Sequence, residues 1–145
     1  MNSFLGRVLA IDYGTKRLGL AITDPDRTIV FPREVVQNQG ENFLLDFFEK
    51  YCVENRVTLV LVGVPYHEDR RENPMTLVTR DFIGKLSERF DGQNLEIPVE
   101  PRDESFTSGE SRMILDELGM TPGEQKEHKD VLSAIIILRG YLDSL

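Results

Sequence analysis

The sequence predicts an α/β fold: a single domain over residues 1–145, built on a mixed five-stranded sheet flanked by helices in the order βββαβαβαα. Three observations carry this expectation. Short apolar runs closed by turn residues alternate with segments whose apolar residues recur at helical spacing. The first three strands follow one another through short turns, as in an antiparallel meander, whereas the later ones are separated by helices, as expected of parallel strands. The length of 145 residues, 40% of them hydrophobic, suits one core.

Val8-Leu9-Ala10-Ile11 is apolar and is closed by Asp12 and Gly14, which marks a buried strand ending in a tight turn. Leu18 to Thr23 is the return strand. Asp24-Pro25-Asp26 then turns the chain into a third short strand, Thr28 to Phe31, ahead of Pro32. From Asn42 to Asn55 the residues Phe43, Leu44, Phe47, Phe48 and Tyr51 lie on one side of a helix. Thr58 to Val64 is almost continuously apolar and β-branched, the pattern of a central strand covered on both faces, and Gly63 and Pro65 end it.

A polar loop through His67, Glu68, Asp69, Arg70 and Arg71 leads past Pro74 to a helix with Leu77, Phe82, Ile83, Leu86 and Phe90 as its apolar members. Ile97 to Val99 is a short strand that Pro98 confines to an edge. Thr107 and Glu110 have the spacing of a capping box, so a helix starts there and stops near Gly119. Asp130 to Leu142 carries an apolar stripe wide enough to pack on the sheet.

The 17 basic and 25 acidic side chains leave a formal charge of −8, which argues against a protein that holds nucleic acid by net charge alone. Local basic patches are still compatible with it. The one cysteine, Cys52, makes no internal disulfide and reads as a small apolar residue in a helix. No stretch approaches the roughly 18 apolar residues of a membrane span, so the expectation is a soluble cytoplasmic protein without membrane partners.

Three acids stand at element ends: Asp12 after the first strand, Glu104 after the last, and Asp130 opening the final helix. In an open α/β sheet the strand carboxyl ends share one rim, where functional crevices form. Clustered carboxylates repel unless a cation sits between them. Oxygen ligands suit Mg²⁺ or Mn²⁺, the ions of phosphodiester hydrolysis. The plainer readings are that acids fall at element ends by chance, that Asp130 caps its helix and that Asp12 accepts turn amides. Lys16, Arg17, Arg102 and Lys129, with Arg70 and Arg71, form a candidate stripe for a phosphate backbone, or else a set of solvated charges. His67 and His128 lack triad or metal-ligand spacing and read as loop surface, and Tyr13 reads as covering its own strand.

Four blocks in order carry a resemblance across nearly the whole chain. Ile11-Asp12-Tyr13-Gly14-Thr15-Lys16-Arg17-Leu18-Gly19-Leu20-Ala21, Val62-Gly63-Val64-Pro65, Asp103-Glu104 with Thr107, and Lys129-Asp130 with Ala134 and Leu138 resemble the YqgF family, also called RuvX. Its members are Holliday-junction-resolvase-like nucleases acting on precursor small-subunit ribosomal RNA. The resemblance implies a ribonuclease H-like fold. It also implies a divalent metal held by Asp12, Glu104 and Asp130, and 5′-end processing of pre-16S rRNA in ribosome biogenesis. The implied partner is nucleic acid, RNA ahead of branched DNA, with ribosomal precursor particles as its setting, and the chain is expected to be a monomer or weak homodimer. Departures from the family pattern are Ser105 for the usual Arg, Phe106 for Leu, Ser133 for Ala, and the loop His67 to Glu72 for one marked by Asp-Gly. Arg102 is positioned to compensate for the missing charge.

The competing readings are a non-catalytic RNA-binding assembly factor, a Holliday-junction-type DNA resolvase, and a nucleotide phosphotransferase. The last arises because Asp12-x-Gly14-Thr15 also resembles the phosphate turn of actin-like ATPases. Those folds pair two related domains, and no second copy of the turn occurs in this sequence.

Overall fold

The computed structural model describes residues 5–65, 71–104, 108–128 and 131–145. β1 (Arg7–Asp12), β2 (Arg17–Thr23) and β3 (Val30–Gln37) form the meander; α1 (Glu41–Glu54) leads to β4 (Val57–Val64), and α2 (Pro74–Gly92) to β5 (Val99–Asp103). Among the described residues three helices follow: α3 (Ser108–Glu117), α4 (Pro122–Glu127) and α5 (Leu132–Asp143). The sheet order is β3-β2-β1-β4-β5, with β1 antiparallel to β2 and parallel to β4, and β4 parallel to β5.

Side-chain alternation along β1 and β4 sorts two apolar layers. Leu9, Ile11, Val60 and Val62 pack under α1 and α2, where Phe48, Phe82, Leu86 and Phe90 close the layer. Val8, Ala10, Leu59 and Leu61 face α5 through Ala134, Ile135 and Leu138. Both faces are therefore dry, which is why these two strands read as unbroken apolar runs. Burying Phe48 or Phe90 contributes about 1.5–3 kcal/mol each. Continuing the alternation, Asp12 falls on the α5 side of the rim.

Four expectations need correction. β3 does not stop at Pro32 but runs on to Gln37, and β5 lies at Val99–Asp103 rather than Ile97–Val99, taking in Pro101. Both are edge strands, which need only one row of ladder bonds and so accommodate a residue without an N–H. Leu77 is 58% exposed, and Thr76 and Thr79 take the buried positions of that part of α2 instead. An additional short helix, α4, interrupts the expected pair of terminal helices; Thr121 and Glu124 form a full capping box with Pro122 in the first turn. The corresponding box at Thr107 lies outside the described residues.

α2 starts where β4 ends. The Asn73 side chain accepts from the Thr76 N–H at 2.9 Å, the Thr76 hydroxyl accepts from the Asn73 N–H at 3.0 Å, and that hydroxyl also donates to the Pro65 carbonyl. One turn later the Thr79 hydroxyl is buried with no partner among the described residues. Thr79→Val, which removes that unmet group at nearly constant volume, is expected to raise stability by about 1 kcal/mol in urea unfolding.

Candidate metal and phosphate site

The site is built by register. Asp12 on β1 pairs with Gly63 on β4, Gly63 pairs with Arg102 on β5, and the Glu104 N–H donates to the Val64 carbonyl at 3.1 Å. Alternation places Glu104 on the same face as Arg102, Gly63 and Asp12. The Glu104 side chain folds back over Gly63, whose missing Cβ leaves the space: a methyl group there would overlap the Glu104 carboxyl. The two carboxyls come within hydrogen-bonding reach of each other, and Ser133 in the first turn of α5 adds a hydrogen-bonding neighbour to Asp12.

The electrostatics follow from that placement. Burial, then the Asp12 charge and more weakly the Asp103 charge, push the Glu104 carboxyl up to about 9. Burial also raises Asp12, opposed by its hydrogen bonds to Glu104 and Ser133. The Glu104 Oε1 atom is buried with no hydrogen-bond partner among the described residues. Two desolvated carboxyls and an orphaned acceptor oxygen are the donor set of a hard divalent cation. Among the described residues no three carboxylate, imidazole or thiol groups gather around one point. Asp130 and Lys129 lie outside the described residues, immediately before the segment that brings Ser133 to Asp12.

The β1–β2 turn is held from a distance. Adding a Cβ to Gly14 would overlap the Arg17 carbonyl, so this glycine serves the turn itself. The Asn38 side chain donates to the Gly14 carbonyl at 3.0 Å and its N–H to the Lys16 carbonyl at 2.9 Å. Lys16 and Arg17 are exposed on this turn. Arg102 shares the face of the carboxyls, but its guanidinium lies 5.1 Å from the Tyr141 ring centroid, and Tyr141 is roughly 12 Å along α5 from Ser133. Tyr13 stacks obliquely on Phe82, with centroids 4.7 Å apart, and so covers the strand as expected. His128 closes α4 and lines a small cavity with Met120, Glu124 and Val30; His67, Arg70, Ser105 and Phe106 lie outside the described residues. Cys52 is fully buried, and burial pushes its thiol up to about 12.

Sequence reasoning missed Asn38 and the role of Gly63. Gly63 was visible as a strand-ending glycine, whereas nothing near Asn38 in the chain signals a clamp on a turn more than twenty residues earlier.

A family model described as RuvX, Holliday junction resolvase, matches residues 6–144. The chain belongs to the RuvX family. A relative from Chlorobium phaeobacteroides, named "Putative pre-16S rRNA nuclease", is 36% identical over 95% of this chain and 92% of its own length. One of the same name from Porphyromonas gingivalis is 35% identical over 97% of this chain and 98% of its own. Among solved structures, Thermus thermophilus RuvC in complex with a Holliday junction substrate superposes with a TM-score of 0.60 at 17% identity, covering 95% of this chain and 94% of that one. The yeast mitochondrial Holliday junction resolvase gives 0.55 at 11% identity, over 95% and 78%. These last two share the ribonuclease H-like fold with the RuvX chain. No helix among its described residues is long and apolar enough to cross a membrane.

Because Glu104 and Asp12 hold protons more tightly folded than unfolded, their contribution to stability is fully present below about pH 4 and is lost as the pH rises towards about 9. In EDTA, unfolding free energy is expected to fall by a few kcal/mol from about pH 5 to about pH 9. Asp12→Asn should flatten that slope, and Mg²⁺ or Mn²⁺ should restore stability at the alkaline end, as followed by thermal melts.

Proposed function

We propose that this chain is a metal-dependent nuclease that hydrolyses phosphodiester bonds in RNA, with the 5′ end of precursor 16S rRNA as its target in the cytoplasm. The observation that carries the reading is the partly buried Asp12–Glu104 pair with its orphaned, fully buried oxygen, at the carboxyl-end rim of the sheet. The names of the relatives at 35–36% identity over nearly their full length direct it to RNA.

Asp12 and Glu104 would hold Mg²⁺ or Mn²⁺, and Asp130 would complete the set. A cation bound there supplies Lewis-acid stabilisation of the charge that builds on the phosphate oxygens and promotes ionisation of the attacking water. Asp12, fixed at the end of the central strand, is the anchor. Ser133 and Asn38 orient what surrounds it, one through a hydrogen bond to the carboxyl and one by clamping the turn that carries Lys16 and Arg17. Those two cations, with Lys129, would bind the flanking phosphates, and Asp103 would bias the charge balance at Glu104. Arg102, engaged with Tyr141, would have to leave that ring to reach substrate.

The test is cleavage of an end-labelled pre-16S rRNA fragment in Mg²⁺ or Mn²⁺. Asp12→Asn is expected to lower the rate at least about 100-fold. RNA binding that survives this change, with no cleavage by the parent protein under either metal, would select the assembly-factor reading.

Gly63→Ala separates position from stability. The methyl would meet the Glu104 carboxyl and its Cγ but no backbone atom, so Glu104 has to change rotamer while the strand pairing stays. Cleavage should fall more than about 10-fold with a raised metal requirement, while the melting temperature shifts by only a few degrees.

A further inference from the structure

The pole of the sheet opposite the carboxyls carries a second charged feature. β1 begins there with Arg7, five strand steps or roughly 17 Å from Asp12. A cleft of about 520 Å³ is lined by Gly6, Arg7, Glu54, Asn55, Arg56 and Thr58, and a second of about 360 Å³ by Arg7, Ile22, Phe31, Pro32, Arg33 and Asn55. They adjoin at Arg7 and Asn55, which line both, and are treated together as one trough. The Arg7 N–H donates to the Arg56 carbonyl at 3.4 Å, which brings those two residues together.

Among the described residues four arginines lie at this pole, and they divide into two kinds. Arg27 is structural: its guanidinium donates to the Gly6 and Leu5 carbonyls and to the Tyr141 hydroxyl. For Arg7, Arg33 and Arg56, no carboxylate among the described residues lies within ion-pair distance. Arg7 donates to the Thr23 carbonyl at 3.1 Å and Arg33 to the Tyr51 hydroxyl at 3.0 Å, so each is oriented by a neutral group with donors to spare. The Arg56 backbone is held at φ +55°, the left-handed region, just past the end of α1. Of the nearby acids, Asp24 accepts from the Thr28 and Ile29 N–H groups of its own turn, whereas Glu54, which lines the first cleft and lies 3.9 Å from Lys50, and Glu34 beside Arg33 offset part of the positive charge. By contrast Lys85, Arg89 and Arg139 are each paired with two carboxylates. Phe31, 40% exposed, stands in the same trough.

A basic groove with an aromatic ring open to stacking is the arrangement that holds single-stranded nucleic acid. We propose that the Arg7–Arg33–Arg56 trough with Phe31 is a second binding surface for single-stranded RNA, gripping the strand about 17 Å from the carboxyl rim. The proposal rests on the nuclease reading only in taking RNA as the ligand.

The experiment is fluorescence anisotropy of a labelled 16-nucleotide single-stranded RNA in EDTA, across a salt series. Arg33→Glu with Arg56→Glu, both exposed and outside the core, is expected to weaken binding about 10-fold and to lower the slope of log affinity against log salt by about 0.7 for each phosphate left unneutralised. Phe31→Ala should weaken binding about 5-fold with the slope unchanged. Lys126→Glu, a charge reversal elsewhere, should do neither. Cleavage of a tetranucleotide, too short to span both sites, should keep the parent rate. Unchanged RNA affinity in the arginine variant overturns the proposal. So does loss of ATP or tripolyphosphate binding with RNA affinity intact, which would make the trough a small-phosphate site. Failure of the nuclease reading shows instead as no cleavage by the parent protein, and leaves the anisotropy comparison standing.

Discussion

Two largely buried carboxyls held within hydrogen-bonding reach of each other are the constraint from which the rest of the molecule takes its meaning. Asp12 ends the central strand and Glu104 follows an edge strand, with one strand between them. At ordinary side-chain reach they would be separated by whatever projected from that middle strand. Gly63 projects nothing, so the carboxyls meet over it, and burial raises both above their usual range. Like charges in such a place are unstable together unless one carries a proton or a cation lies between them.

The scaffold can bear that cost because the strands beneath are dry on both faces. β1 and β4 lie between a layer rich in phenylalanine under α1 and α2 and a layer of small and branched residues under α5. A single-sided sheet would relax by tilting its end into solvent. Here the rim cannot move without disturbing two packed layers, so the two carboxyls stay together, held by the proton on Glu104 or by a cation that replaces it. Stability and binding are in this sense opposed at the rim, as is common where function needs an unfavourable arrangement.

Charge is distributed by a similar logic. A chain of formal charge −8 approaches a polyanion unfavourably as a whole, so affinity has to come from places where positive charge gathers locally. On the helices, Lys85, Arg89 and Arg139 are neutralised by neighbouring acids. The basic groups proposed above to meet a polyanion lie at the two poles of the sheet: the β1–β2 turn beside the carboxyls, and the arginines at the start of β1. The axis of the central strand therefore joins the two surfaces proposed to meet a phosphate chain.

Much of this was legible in the chain order of residues. Val8 to Ile11, α1 and Thr58 to Val64 declared themselves because their apolar period matches the faces they bury, and Asp12 and Glu104 stood out as element ends. The edge strands did not, since proline is read as a breaker while an edge tolerates it, and Leu77 was misplaced because helical spacing does not say which of two apolar stripes meets the sheet. The short α4 carried a readable capping box at Thr121 and Glu124 that so brief a helix makes easy to pass over. What the amino-acid order determined alone was local: period, caps, turns and family pattern, all of which depend on neighbours in the chain. What only the tertiary structure decided was register. That Asp12 faces Gly63, that Glu104 fills the space above it, and that Asn38 clamps the Gly14 turn depend on hydrogen-bond pairing between strands far apart in sequence, which side-chain chemistry constrains to a face but not to a partner.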